Sequence, residues 1–261
     1  MWSGGARSFL DEVEVVDFGT FTVGRFGGST ITGAAQNDDG AFAVADSEGG
    51  WECAAVLDAH GSDDSASVVV AAFAGAVDEI SSTLGKRVGE ALREFRGLVL
   101  RLLTADPTAT ALASCKFETA VLAVARVDRF VAWLSVGDNP MLLLHPELAR
   151  LRQYQLNQRQ FFEWVGKADS LRLPVPCFSS GIRELREGRN VIALTTDGLL
   201  EYVEPPTEPL ALYEDSQSYV TSEAVRCALH RVREDGRDSA TIVAWDVRSS
   251  VAGIMPTNSS A

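Results

Sequence analysis

The sequence predicts an α+β protein in which antiparallel sheets are covered by helices. Three observations support this fold class. Short apolar segments typical of strands come in neighbouring pairs that are joined by turn residues. Two longer segments between these pairs have the three- and four-residue hydrophobic spacing of amphipathic helices. The chain then continues with a strand, a helix and a last strand, an order that indicates sheets with helices on the outside.

The first part of the chain predicts two short strands, a hairpin and two helices. The predicted strands are Val13–Phe18, Phe21–Val23, Ala41–Ala45 and Trp51–Leu57. The last two strands flank Asp46-Ser47-Glu48-Gly49-Gly50, a composition typical of a hairpin turn. The predicted helices are Ser65–Leu84 and Val88–Leu103, and the second carries one continuous apolar stripe.

The second part predicts a further hairpin, a tight turn and a final strand–helix–strand unit. The predicted strands are Phe117–Val127, Phe130–Val136, Met141–Leu144, Val191–Thr196 and Thr241–Val247, and the predicted helix is Ser222–Val232. The interval His145–Arg189 predicts irregular structure with a short helix at Arg159–Val165. We expect one domain over residues 9–248, with a frayed start at Met1–Ser8 and a flexible tail over residues 249–261.

Composition limits the function of the chain. Of its 261 residues 46% are hydrophobic and 23% are charged, which excludes disordered, collagen-like and disulfide-scaffold proteins. The formal net charge of −13 argues against nucleic-acid or anionic-membrane partners. The four cysteines form no CxxC pair, and no apolar run reaches about 18 residues. We therefore expect a cytoplasmic protein with free thiols.

Aspartates stand at the ends of several predicted strands. They are Asp38, Asp39, Asp58, Asp138, Asp197 and Asp238. Any one of them could be an ordinary turn residue. An exposed turn, however, does not require an acid directly after a buried strand, so this placement favours a functional role. Antiparallel packing can bring these acids to one rim, where they would repel unless protonated or neutralised by cations. Ligands that are all oxygen favour Mg²⁺ or Mn²⁺ over zinc.

Short acidic motifs in a fixed order resemble those of the metal-dependent protein phosphatases of type 2C. The matching segments are Asn37-Asp38-Asp39, Leu57-Asp58-Ala59-His60-Gly61, Glu118-Thr119-Ala120, Val136-Gly137-Asp138-Asn139, Thr196-Asp197-Gly198-Leu199 and Asp238-Ser239-Ala240-Thr241. They resemble the family's Asn-Glu-Asp, Asp-Gly-His-Gly, Gly-Thr-Thr, Gly-Asp-Ser, Ser-Asp-Gly-Leu and Asp-Asn-x-Thr. Each match is short, but all six occur in the family's order between Asn37 and Val247.

The resemblance implies a fold and a metal site. The fold is a central sandwich of two antiparallel sheets with helices on both outer faces, a four-layer αββα arrangement. The site at one rim holds two Mn²⁺ or Mg²⁺ ions and a weaker third. Asp58 bridges the two ions, Asp197 and Asp238 hold the first, and the carbonyl of Ala59 helps to hold the second. Asp38 acts through bound water, and Asp138 serves the third ion together with Asp197.

The resemblance also implies an activity, the hydrolysis of phosphoserine and phosphothreonine in signalling proteins. Two divalent ions about 4 Å apart lower the pKa of water and neutralise the phosphoryl oxygens, so water attacks in line without a covalent enzyme intermediate. The leaving alkoxide needs a proton, and His60 is the candidate general acid. The negative net charge predicts phosphoprotein substrates with basic residues around the phosphosite.

Three departures from the family pattern support an alternative. Ala34 stands where the family has an arginine that grips phosphate, and Arg25 and Arg7 are the candidates to replace it. Asp38 replaces a longer glutamate, and Ala59 replaces a glycine, which would strain a backbone that needed a positive φ. The alternative is a catalytically weak or inactive pseudophosphatase that keeps the fold as a binding or regulatory module.

A flap beside the active site is the last feature that the resemblance implies. In relatives it lies between the motifs that contain Asp138 and Asp197 here, and we call residues 145–189 the flap segment. It carries aromatic residues in the stretches 157–164 and 174–178. Such residues are typical of a small core, but they could also select the phosphoprotein substrate.

Overall fold

Two antiparallel sheets form the centre of the protein in the computed structural model, which describes residues 1–200 and 208–255. The first sheet has six strands in the spatial order β1 (Trp2–Ser3), β4 (Gly40–Asp46), β5 (Trp51–Ala59), β6 (Thr119–Val127), β7 (Phe130–Val136) and β9 (Ser179–Glu184). The second has five, in the order β2 (Val13–Phe18), β3 (Phe21–Phe26), β11 (Ala240–Ser249), β10 (Gly188–Thr195) and β8 (Met141–Leu144).

Helices cover the outer face of each sheet. They are α1 (Asp64–Gly75), α2 (Val77–Leu84), α3 (Val88–Thr104), α4 (Thr108–Ser114), α5 (Pro146–Ala149), α6 (Glu208–Ser218) and α7 (Thr221–Asp235). Helices α1 and α3 pack on the first sheet, while α6 and α7 pack on the second. The predicted four-layer αββα sandwich is therefore confirmed.

The central strands β5, β6 and β7 of the first sheet are buried on both faces, which explains why their sequences are nearly continuous apolar runs. Every residue of β5 is buried, and alternate residues go to opposite sides. Ala54 and Val56 join the core between the two sheets, whereas Cys53, Ala55 and Leu57 join the core beneath the helices. Sandwiching a sheet between helices and a second sheet removes the usual alternation of polar and apolar residues.

Most predicted strands occur at or close to the predicted bounds, but one predicted helix is two. The segment predicted as Ser65–Leu84 forms α1 and α2, which meet at Ala76 with a bend of 59°. The break follows Gly75, and glycine costs about 1 kcal/mol in a helix interior. The bend lets both helices bury apolar residues, such as Phe73 and Ile80, in the same core.

The flap segment differs most from expectation. No helix forms at Arg159–Val165, so that prediction is wrong, and β9 occupies part of the interval expected to be irregular. The backbone groups that a helix would use are bonded elsewhere. Val165 exchanges two hydrogen bonds of 2.9 Å with Thr119, and the Gln160 N–H donates to the carbonyl of Gly137 at 3.1 Å. Helices α4, α5 and α6 were not predicted either.

The start of the chain is held in the first sheet, contrary to the expectation that Met1–Ser8 is frayed. Trp2 and Ser3 pair with Ala41 and Gly40 on β4. At the other end, β11 extends to Ser249, and the predicted flexibility of residues 249–261 remains a prediction, with residues 256–261 outside the described part. The domain limits 9–248 likewise remain a prediction.

Across the described residues, no single helix has the length and hydrophobicity to cross a membrane. The bent pair α1–α2 meets both requirements only when its two helices are counted together.

Candidate metal centre

The antiparallel topology brings the strand ends that carry the acids to one rim of the sandwich. Asp58 is the next-to-last residue of β5 and pairs with Ala120, the second residue of β6. Asp138 follows the end of β7 and Asp197 follows the end of β10. Asp238 comes just before β11, whose residue Ile242 pairs with Thr195. The prediction that these acids share one rim is confirmed by the strand register.

Three of the predicted acids form a close group. One carboxylate oxygen each of Asp58, Asp138 and Asp197 lies within 4.8 Å of the other two. Asp58 and Asp138 are buried, and Asp197 is partly exposed. Desolvation and the neighbouring charge of Asp197 hold the pKa of Asp58 well above its usual range. This set of hard oxygen donors, carrying negative charge that is costly to bury, is one that divalent cations such as Mg²⁺ or Mn²⁺ fit.

The turn after β7 is built to present Asp138. Gly137 has a left-handed φ of 97°, and a Cβ there would lie 2.5 Å from the Cβ of Ala120. Glycine is therefore the residue that allows β7 to turn this close to β6. The Asn157 side chain, from the flap segment, holds the other side of the turn. Its amide donates to the carbonyl of Asn139 at 2.7 Å and its oxygen accepts the Met141 N–H at 2.7 Å.

Asp39 joins the two sheets beneath the rim. It is fully buried and accepts hydrogen bonds from the hydroxyls of Ser239 (2.9 Å), Thr241 (2.6 Å) and Thr196 (3.1 Å). Burial raises its pKa to about 7, and the charge of Asp238 adds to the effect. The sequence placed Asp39 at the rim but assigned it no role, because nothing local shows that three hydroxyls from the other sheet converge on it.

The other predicted ligands lie around the group of three. Asp38 is half-buried, and desolvation raises its pKa. Asp238 is exposed and accepts the Ser239 N–H at 2.8 Å, and its charge raises the pKa of both Asp38 and Asp58. The structure therefore places both carboxylates near the group but outside the 4.8 Å set.

Ala59 and His60 complete the Asp58 motif. Ala59 is the last residue of β5 and pairs with Thr119, so its backbone is extended. The strain expected for an alanine at a position that needs a positive φ therefore does not arise. The left-handed residue of this motif is Gly61, at φ 71°. The exposed His60 ring makes an edge contact with Trp164 of the flap segment, with 4.6 Å between ring centroids.

Arg159, from the flap segment, enters the site and was not predicted to be functional. Its Nη2 atom lies 3.6 Å from Oδ2 of Asp138 and 3.6 Å from Oδ2 of Asp197. The arginine candidates from the sequence are engaged elsewhere, because Arg25 pairs with Glu14 and Arg7 pairs with Glu12 and Glu14. No local pattern distinguishes Arg159 from the other arginines of the flap segment.

Solved structures of bacterial phosphatases share this fold at low sequence identity. The catalytic domain of the serine/threonine phosphatase PstP, in complex with two manganese ions, is 18% identical, with a TM-score of 0.58 over 82% of this chain and 93% of that one. PppA of Pseudomonas aeruginosa, described as a regulatory component of T6SS, is 15% identical, with a TM-score of 0.59 over 90% and 100%. RsbX in complex with magnesium is 16% identical, with a TM-score of 0.55 over 90% and 100%.

The architecture and these neighbours define the class: the chain has the fold of the type 2C protein phosphatases. Within that class, the family model described as Stage II sporulation protein E (SpoIIE) matches residues 48–248, and the chain belongs to this family. The matched residues include five of the six acidic motifs, and the first motif, Asn37-Asp38-Asp39, lies before them. A search of curated protein sequences found no significant match.

Proposed function

We propose that this protein is a metal-dependent serine/threonine phosphoprotein phosphatase with a Mn²⁺ or Mg²⁺ centre at the rim of the sandwich. The observation that carries the proposal is the convergence of Asp58, Asp138 and Asp197 to within 4.8 Å at the end of three strands. Binding of two manganese ions by PstP and of magnesium by RsbX, neighbours of the same fold, supports the choice of ions.

The residues divide into direct and indirect ligands. Asp58, Asp197 and Asp238 would hold the first ion, while Asp58 and the carbonyl of Ala59 would hold the second. Asp38, half-buried and set back from the group, would act through water. When bound, the ions would lower the pKa of water and neutralise the phosphoryl oxygens.

His60 would give a proton to the departing serine or threonine alkoxide. It follows Asp58 by two residues and is exposed, so its ring can reach a leaving group that approaches from solvent. The His60 and Trp164 rings pack perpendicular to each other, and this contact restricts the orientation of the His60 ring. This contact ties the general acid to the flap segment rather than to the sheet alone.

One of the three departures that favoured a pseudophosphatase, the alanine at position 59, carries less weight in the folded chain. Ala59 sits in an extended strand, where alanine is not strained. Ala34 still lacks the guanidinium of the family arginine, because the guanidinium of Arg159 is engaged by Asp138 and Asp197. No specific contact in the described residues favours the inactive alternative over the enzyme.

The substrates we propose are phosphoproteins with basic residues beside the phosphosite, in a cytoplasmic signalling pathway. The net charge of −13 would attract such segments and repel acidic ones. Exposed Phe161 and Phe162 lie on the flap segment close to Arg159 and offer an apolar contact to the bound segment.

Hydrolysis of a phosphothreonine peptide, measured with Mn²⁺ and with EDTA, tests the proposal. We expect turnover only with Mn²⁺, and we expect Asp58→Asn and Asp197→Asn to abolish it because each removes an anionic ligand. Asp17→Asn is the matched control, since Asp17 is exposed on β2 and its variant should keep full activity. Undiminished turnover by both site variants, or turnover that ignores Mn²⁺, would contradict the assigned site.

A further inference from the structure

The guanidinium of Arg159 occupies the space between two of the three grouped carboxylates. Its Nη2 atom lies 3.6 Å from an oxygen of Asp138 and 3.6 Å from an oxygen of Asp197, and its Nε–H donates to the backbone carbonyl of Asp138 at 3.1 Å. The side chain is 18% exposed. The positive charge therefore contacts Asp138 at both its backbone and its side chain, and reaches Asp197 on the other sheet.

The backbone on both sides of Arg159 is fixed to the turn that carries Asp138. On one side, the Asn157 side chain bonds to the carbonyl of Asn139 and to the N–H of Met141. On the other, the Gln160 N–H donates to the carbonyl of Gly137 at 3.1 Å. The Phe161 ring lies 4.8 Å from the guanidinium carbon of Arg159. The arginine is thus held in place relative to Asp138 and is not a surface side chain that happens to lie nearby.

The positive charge of Arg159 neutralises Asp138 and Asp197, as a bound metal ion would. Two aspartates that approach each other in a partly buried site repel, and a positive group between them removes that repulsion. A guanidinium stays protonated at any physiological pH and presents several N–H donors in one plane, so it can contact two carboxylates at once. Unlike a weakly bound ion, it cannot dissociate.

We propose that Arg159 takes the place of a third metal ion between Asp138 and Asp197, so that this chain forms a centre for two ions only. The inference rests on the proposed metal-dependent function, because it concerns how many ions the same site holds. In this arrangement Asp138 serves the centre through Arg159 and is not a metal ligand. Removing the guanidinium frees the Asp138–Asp197 pair for one further ion.

Counting bound ions tests this directly. The full chain is dialysed to equilibrium against saturating Mn²⁺, and bound Mn²⁺ per chain is measured by elemental analysis. We expect two ions in the natural protein and three in both Arg159→Gln and Arg159→Met. Adding Asp138→Asn to Arg159→Gln should return the count to two, which locates the extra ion. Arg150→Gln is the matched control: it alters an exposed arginine of the same flap segment and should keep two.

Two results would overturn the inference: three ions in the natural protein, or no additional ion in either Arg159 variant that retains the near-ultraviolet circular dichroism of the natural protein. Phosphopeptide hydrolysis measured on the same samples separates this inference from the proposed function. A count of two that rises to three, without hydrolysis by any sample, would refute the phosphatase and leave the ion count standing. If the natural protein bound three ions and hydrolysed the phosphopeptide, the inference about Arg159 would be refuted and the proposed phosphatase function would stand.

Discussion

The buried carboxyl group of Asp39 should make the stability of the metal-free protein depend on pH. Its pKa is about 7 in the folded chain against an ordinary value of 3.8. Between these two values the folded chain holds a proton on Asp39 that the unfolded chain has released. Unfolding then releases a proton, so the contribution of Asp39 to the free energy of unfolding is largest below about pH 4 and falls as the pH rises towards 7.

The size of the effect follows from the shift. One proton changes the free energy of unfolding by about 1.4 kcal/mol per pH unit, so a shift of about three units sets an upper limit of about 4 kcal/mol. Urea unfolding in EDTA, followed by tryptophan fluorescence between about pH 4.5 and 7.5, measures the slope. The Asp39→Asn variant removes the titrating group, while its amide oxygen can still accept hydroxyl hydrogen bonds. The slope of its free energy of unfolding against pH should be shallower by the contribution of about one proton, which is about 1.4 kcal/mol per pH unit.

Comparing variants isolates Asp39 from the other acids of the rim, such as Asp58, whose pKa is also raised. Asp17→Asn, on the exposed edge strand β2, should keep the slope of the natural protein. If Asp39→Asn showed that same unchanged slope, the reasoning from burial would be refuted, because the group would then be ionised in both the folded and the unfolded chain across this range.

Three further outcomes follow from the site. Gly137→Ala should lower the free energy of unfolding by about 2–3 kcal/mol, since it combines a left-handed φ with a 2.5 Å approach to Ala120. Gly75→Ala, where a Cβ meets nothing within 4 Å, should not destabilise, and equal losses in urea unfolding would contradict the steric argument. Trp164→Ala should reduce kcat roughly tenfold with little change in KM, because His60 loses its ring contact. Trp164→Phe should retain most of the activity. If Trp164→Ala had the kcat of the natural protein, the contact would make no contribution to catalysis. Peptides with Lys or Arg beside the phosphothreonine should be hydrolysed faster than acidic ones at low ionic strength, with a difference that shrinks as salt is added, and equal rates at low salt would argue against electrostatic steering.

The strands were predictable where local pattern and tertiary burial agree. Phe130–Val136 and Met141–Leu144 have the predicted bounds, because each is a short, mostly apolar run next to turn residues. The two-residue strand β1 and the strand β9 were missed, since their pairing depends on the partners β4 and β7 and not on their own hydrophobicity. The helix predicted at Arg159–Val165 does not form. The residue pattern there is compatible with a helix, but the backbone of this segment is hydrogen-bonded to Thr119 and Gly137.

What the sequence alone determined is which acids end or precede buried strands, and so which of them could meet at one rim. An acid that follows an apolar strand, as Asp58 and Asp197 do, is visible in the order of residues, because hydrophobic runs and turns are local properties. Only the tertiary structure decided that Asp39 would sit under three hydroxyl groups and that Arg159 would reach between Asp138 and Asp197. Those contacts join residues far apart in the chain, and their energy depends on burial and charge that no local segment contains.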